Sequence, residues 1–356
     1  MRGSRDNKQI HIKKLKIWPL VLIFIVIFYT GYNACSIKKH GIRYAKNYQL
    51  GTLIELSIYE GGSKNILTEA FELISALENK LSRNIGASEV SKINRYAGIS
   101  PVEVSDDTFF VINRTIYYSE LSGGFFDITV GPLVSLWGIG TKEANVPSAG
   151  DISNVLALID YKRMKLTPSN NLVFSENRGM EIDLGAIAKG FIADKVYELF
   201  KEDGVKSAII NLGGNVMLLG RKPDGNLFRV GIQNPLYERG VTVGIYEGEN
   251  VSVVTSGIYE RYYEEDGIKY HHIFDPKTGY PIDNDIAGIS VITAISTDAD
   301  ALSTSLFALG AEDALGLVEK LENTEAIIIT KDKKIILSSG VGNSFTVLDN
   351  DFVLEE

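Results

Sequence analysis

The chain has a single cysteine, Cys35, in 356 residues. An internal disulfide framework is therefore excluded, and Cys-based zinc and iron–sulfur sites go with it. Histidine is scarce too. Of four, His11 and His40 lie near the amino end, so the body holds only the adjacent pair His271-His272. Neighbours on a strand point to opposite faces, so this pair is poorly placed to chelate one ion. Basic residues are outnumbered, 36 Lys and Arg against 45 Asp and Glu, giving a formal net charge of −9. The first 35 residues alone are net +5, six basic side chains against Asp6, which leaves −14 for the rest. An acidic body argues against nonspecific nucleic-acid binding, and no nucleic-acid partner is expected. It also means that a phosphate-bearing ligand needs local neutralisation, by a cation or a helix start. Internal repeats and low-complexity segments are missing. The 45% hydrophobic content is ordinary for a folded protein, and the length suits one large domain or two modest ones.

Only one long hydrophobic run exists, from Ile17 to about Tyr32, behind a basic head. It is shorter than the roughly 20 residues a spanning helix prefers, yet longer than a core strand. Residues 1–35 thus read as a signal peptide or a short membrane anchor, with the amino end inside by the charge bias. Cys35 just beyond the run resembles a bacterial lipoprotein signal. Tyr32 stands where that signal has an aliphatic residue, so an uncleaved anchor is the second reading. Either way the body is expected to be membrane-tethered on the extracytoplasmic face. Residues 36–49 read as a basic linker, and 50–356 as the folded body.

Within the body, a strand opens after Leu50-Gly51-Thr52, and Ser63 to Ser82 has the periodicity of an amphipathic helix. A second helix is expected from Ser105 to Leu121, stopped by Gly123-Gly124. Glu181 to Gly190 leads into a third, reaching about Glu202. From Ser207 onward short strands alternate with Gly, Pro and Asp turns. Helices interspersed with hairpins suggest α+β rather than a regular βαβ alternation.

The stretch Ser296 to Gly310 follows a strand-like run, Ile289 to Ile295, and spaces Leu302, Leu306 and Leu309 as a helix does. Asp300 and Thr304 are four apart, so a carboxylate and a hydroxyl share one face at the helix start. Two readings stand side by side. Such oxygens suit Mg²⁺, which takes one or two carboxylates and completes its shell with water and substrate phosphate. Acids and hydroxyls in a first turn also simply cap a helix.

Other stretches are weaker alone. Asp183, Gly185, Lys189 and Gly190 sit at a strand–helix junction where main chain can approach an anion. Asn211-Leu-Gly-Gly-Asn215 reads as a bulge or hairpin between strands. Thr255 to Arg261 groups hydroxyls with a glycine and a cation. One histidine of the pair would be the natural titratable group at neutral pH.

Taken in order, these stretches resemble the FAD:protein FMN transferases, the ApbE family. The matches are L-G-T near Gly51, G-G-F-F-D-I-T-V-G-P at Gly123–Pro132, E-I-D-L-G-A-I-A-K-G-F at Glu181–Phe191 and N-L-G-G-N at Asn211–Asn215. T-S-G-I-Y-E-R at Thr255–Arg261, H-H-I-F-D-P-K-T-G-Y-P at His271–Pro281 and the D-A-D-A-L-S-T stretch follow. The resemblance implies a single large T-fold-like domain of mixed and antiparallel sheets with packed helices. It implies Mg²⁺ on Asp300, Thr304 and the Ala186 carbonyl. FAD, the substrate, would be lined by Leu50, Asn84, Phe125, Phe126, Asp127, Asp183, Lys189 and the backbone at Ile273. Leu50 stands where the family commonly has Met, and Asn84 where it often has a Tyr that could stack on the ligand. The implied reaction is Mg²⁺-dependent transfer of FMN to a Thr or Ser hydroxyl of an acceptor protein, such as a membrane redox-complex subunit, with release of AMP. His272 is the candidate base. Two other activities share these residues: hydrolysis of FAD to FMN and AMP, and flavin binding without turnover.

Overall fold

The computed structural model describes residues 41–355. The signal or anchor at 1–35 and the head of the linker lie outside the described residues. Among the described residues no helix is long and apolar enough to cross a membrane. One compact unit spans Arg43–Glu356. The linker expectation needs a correction at its far end, because Arg43–Gln49 is a strand, β1. It pairs antiparallel with β2 (Thr52–Gly61), from Arg43↔Ile58 to Gln49↔Thr52. A polar, basic stretch carries little strand signal of its own; the pairing supplies its hydrogen bonds, and as an edge it leaves most side chains in water.

Chain order continues with α1 (Ile66–Leu81), α2 (Glu89–Arg95), β3 (Val102–Glu103), α3 (Asp106–Leu121), α4 (Gly131–Trp137) and α5 (Ala149–Leu156). Next come β4 (Met164–Thr167), β5 (Leu172–Ser175), α6 (Ala188–Glu202), β6 (Val205–Leu212) and β7 (Asn215–Leu219). Strands β8 (Phe228–Gln233), β9 (Thr242–Gly248), β10 (Ser252–Gly257), β11 (Tyr262–Glu265), β12 (Ile268–His271) and β13 (Ile286–Thr293) follow. The chain closes with α7 (Ser296–Leu309), α8 (Ala311–Val318), β14 (Thr324–Thr330), β15 (Lys334–Leu337), β16 (Phe345–Val347) and β17 (Val353–Glu355).

The fold is α+β, organised on a nine-stranded sheet in the order β1-β2-β6-β7-β10-β13-β14-β15-β17. Its pairings are antiparallel except the last, β15 with β17. Asn211 to Asn215 makes the β6–β7 hairpin, with Leu212 opposite Asn215. Helices α1, α6 and α7 cover one face through residues such as Ile74, Phe200 and Leu306. The small sheet β16-β9-β8 covers part of the other, packing Ile232, Val243 and Phe345 on Val253, Ile292 and Ile327. Strand β13 is buried along its whole length, as a strand covered on both faces must be.

Helix α7 starts at Ser296, earlier than its leucine spacing suggests, and it packs against α6, α3, β10 and β13. Its cap comes from elsewhere. Asp194, on α6, accepts from Ser296 N at 2.7 Å, Thr297 N at 2.8 Å and Thr297 Oγ1 at 2.6 Å. Asp298 instead holds Arg114 in a two-point pair, both contacts at 2.8 Å, tying α3 to α7. Capping by the helix's own acids is thus set aside, and Asp300 is released for other work. Replacing Asp194 by Ala is expected to lower stability by about 2–3 kcal/mol, the cost of a lost cap plus buried unpaired donors. A shift of the urea midpoint at constant m-value is the check.

Candidate active site

The start of α6 lies against the start of α7, and the contact is closest at Gly190. A Cβ placed there would come within 2.2 Å of the Ser296 carbonyl oxygen. Only glycine allows the approach. At this distance the Gly190 N–H donates to Asp300 Oδ2 at 2.8 Å. An α-helical N–H ordinarily bonds the carbonyl four residues back, here Ala186. The diversion to Asp300 leaves the Ala186 carbonyl without that donor, and the next amide, Phe191 N, bonds the Ile187 carbonyl at 3.1 Å. An amide at the start of one helix is thereby bonded to a carboxylate at the start of another, 110 positions away in sequence. Gly190→Ala is expected to force the helices apart and cost more than about 2 kcal/mol, as overpacking does. Thermal melting of the variant against the wild type checks this.

Asp300 is 3% exposed, and Lys189 Nζ lies 3.3 Å from its Oδ1. A buried carboxylate needs such a partner. Thr304, one turn further along α7 and half-buried, has Ser256 Oγ 3.5 Å from its hydroxyl. The donor set at this helix start is a carbonyl, a carboxylate and a hydroxyl, all hard oxygens of the kind Mg²⁺ prefers. Among the described residues no group of three or more His, Cys, Asp or Glu side chains could hold a metal ion.

The two histidines have separate tasks. His271 is buried, with Nε2 at 2.9 Å from the Ile282 carbonyl and Nδ1 accepting from Ile273 N at 3.3 Å. Both nitrogens are satisfied, and loss of hydration lowers its pKa. His272 is half-buried, with Nδ1 3.2 Å from the Arg261 carbonyl. A carbonyl can only accept, so Nδ1 carries the proton and Nε2 keeps its lone pair. Loss of hydration, then the nearby Arg261 and Lys189 cations, hold its pKa well below the ordinary imidazole value. Its unprotonated state, the one a general base needs, is thereby favoured.

The other expected site residues divide. Leu50 begins the tight turn of the first hairpin at φ 55° with Gly51 at φ 68°, a conformation costly for a leucine. Its N–H is held by Glu78 Oε1 at 3.0 Å. Asp183 accepts from Gly185 N at 2.7 Å and pairs with Arg83, which also bonds Glu181. Asn84, the next residue after Arg83, is exposed. Phe125 is half-buried with Lys277 Nζ 3.9 Å from its ring centre. Phe126, by contrast, packs into the core beside Tyr118. Asp127 spends its carboxylate on Thr129 N and Oγ1, at 2.7 and 2.6 Å, and on Tyr161 N at 3.0 Å. Burial raises its pKa. Ile273 is buried, with its N–H on His271 and its carbonyl accepting from Ile282 N at 3.0 Å. Phe126 is thus a core residue, and the polar groups of Asp127 and Ile273 are already used within the fold.

The sequence points to Gly190 as a junction glycine and to Arg261 as the cation of a polar loop, and gives Asp194 no role. A small residue at a helix junction was the one available signal for Gly190; for Asp194 nothing local pointed to α7.

A buried carboxylate held by a main-chain amide and a lysine at the abutting starts of two helices, in a chain that also carries an imidazole with a free lone pair, is the kind of donor set that enzymes handling phosphate esters use. The description ApbE family matches residues 50–328, and the chain belongs to that family. It is 39% identical to the FAD:protein FMN transferase of Klebsiella pneumoniae over 85% of this chain and 94% of that one. The FAD:protein FMN transferase of Treponema pallidum is 34% identical over 93% of this chain and 96% of its own length. Among solved structures, the ApbE protein of Thermotoga maritima superposes with a TM-score of 0.79 at 30% identity, covering 85% of this chain and 99% of that one. The flavin transferase ApbE of Vibrio cholerae gives 0.77 at 28%, with the same coverage.

Proposed function

We propose that this transferase moves FMN from FAD to a Ser or Thr hydroxyl of an acceptor protein, leaving a phosphoester and releasing AMP, with Mg²⁺ as cofactor. The observation that carries the reading is the diversion of the Gly190 amide to Asp300, which takes from the Ala186 carbonyl its ordinary helical donor. Ala186, Asp300 and Thr304 would hold the ion. When bound, it neutralises the diphosphate and stabilises charge on the departing AMP. Lys189 adds positive charge at the same carboxylate. His272 takes the acceptor hydroxyl's proton on Nε2 as that oxygen attacks the FMN phosphorus, while the bond from phosphorus to the AMP oxygen breaks. The basic head and the apolar run ending near Cys35 support a membrane tether with the acceptor on the extracytoplasmic face.

The test is incubation of the full chain with FAD, Mg²⁺ and a candidate acceptor, with and without chelator. The acceptor should gain one FMN per AMP released, and chelator should stop both. AMP without labelled acceptor would make the chain a hydrolase. Bound flavin with neither AMP nor metal dependence would make it a carrier.

A further inference from the structure

The residues between β10 and β12 put one more cation at this site. Strands β11 and β12 form a two-residue hairpin, Glu265 opposite Ile268. Its turn, Asp266-Gly267, has φ of 52° and 78°, the pair of left-handed residues such a turn demands. The hairpin sets Tyr262 opposite His271, so the residues flanking it, Arg261 and His272, stand side by side at its base. The Arg261 carbonyl accepts both His272 N, at 3.1 Å, and His272 Nδ1, at 3.2 Å. Its side chain then runs between two bare glycine turns. Arg261 Cδ is 3.6 Å from where a Cβ on Gly140 would stand, and Nη2 is 3.8 Å from that position on Gly51. The guanidinium thus reaches the Leu50-Gly51 turn.

Charge separates this cation from its neighbours. Lys189 is paired with Asp300, and Arg83 with Glu181 and Asp183. Arg261 enters no ion pair among the described residues and is exposed, in a body that is strongly acidic overall. A guanidinium offers two parallel N–H donors that match two oxygens of one phosphate, which an ammonium cannot do.

We propose that Arg261 binds the diphosphate of FAD, its guanidinium forking onto the phosphate presented to His272. The inference rests on the FAD-dependent reading above and adds the residue that recognises the phosphate. It accounts for a second use of one residue: the main chain of Arg261 fixes the base, and its side chain fixes the group the base acts upon.

The full-length wild type, Arg261→Lys and Arg261→Gln are titrated with FAD and with riboflavin, which lacks phosphate, following flavin fluorescence with chelator present. Arg261→Gln should weaken FAD by at least ~10-fold while riboflavin stays within about twofold, the loss of one charge-assisted pair. Arg261→Lys should recover part of the affinity, keeping charge without the fork. Both variants keep the main-chain carbonyl, so KM for FAD should rise more than kcat falls. FAD affinity unchanged in Arg261→Gln, or an equal loss for FAD and riboflavin, would overturn the inference. Should FAD discriminate among the variants while no acceptor is ever labelled, the transferase reading fails and the phosphate contact stands. Should the wild type bind no FAD, both fail.

Discussion

Asp300→Asn is expected to reduce kcat/KM for FMN transfer at least ~10³-fold, about 4 kcal/mol of transition-state stabilisation. The fold should survive. Asparagine keeps an oxygen that can accept from Gly190 N, now at 2.8 Å from the carboxylate, so the contact between α6 and α7 is retained. What disappears is the negative charge, and with it both the grip proposed for a divalent ion and the partner of Lys189. Asp300→Ala goes further, leaving a buried N–H and an ammonium without their acceptor, at a cost of about 1–3 kcal/mol in stability. The two variants therefore separate chemistry from folding: similar loss of activity, different melting temperatures. Measuring both against Mg²⁺ concentration is decisive. An Asp300→Asn protein that turned over normally and ignored chelator would remove the metal from the account.

Second in size is His272. Its replacement by Ala should lower transfer by about 10²–10⁴, the usual worth of a general base. The pH profile gives a sharper reading. Because loss of hydration and the Arg261 cation hold the imidazole below its ordinary 6.5, the unprotonated base persists as pH drops past that value. Activity is lost only as pH falls through the lowered pKa, so kcat/KM should stay level well to the acid side of 6.5. Removing Arg261 should move the acid limb upward toward 6.5, since one of the charges opposing protonation is gone. In His272→Ala the limb should vanish. A wild-type profile breaking at the ordinary imidazole value would show that another group carries the proton. His271 is the control: both its nitrogens are already bonded, so replacing it should disturb packing and leave the limb in place.

Much of this site was legible before any coordinates. The order of short stretches from Gly51 to Thr304 carried the family resemblance, and the four-residue step from Asp300 to Thr304 put two oxygens on one helical face. Alternating hairpins and helices gave α+β, and Gly213-Gly214 marked the β6–β7 hairpin. Such features are local: a glycine where the chain reverses, a period of 3.6 where a helix packs.

What folding alone decided is which distant groups meet. Asp194, about a hundred positions before Ser296, caps α7; Gly190 hands its amide to Asp300 across a similar span. Phe125 and Phe126 are adjacent in sequence, yet one stays half-buried under Lys277 and the other enters the core. Arg261 and His272 come together because a hairpin returns the chain upon itself. Sequence periodicity says which side of an element is apolar. The partner of a buried polar atom is set by where two elements touch, and that contact exists only in the assembled fold.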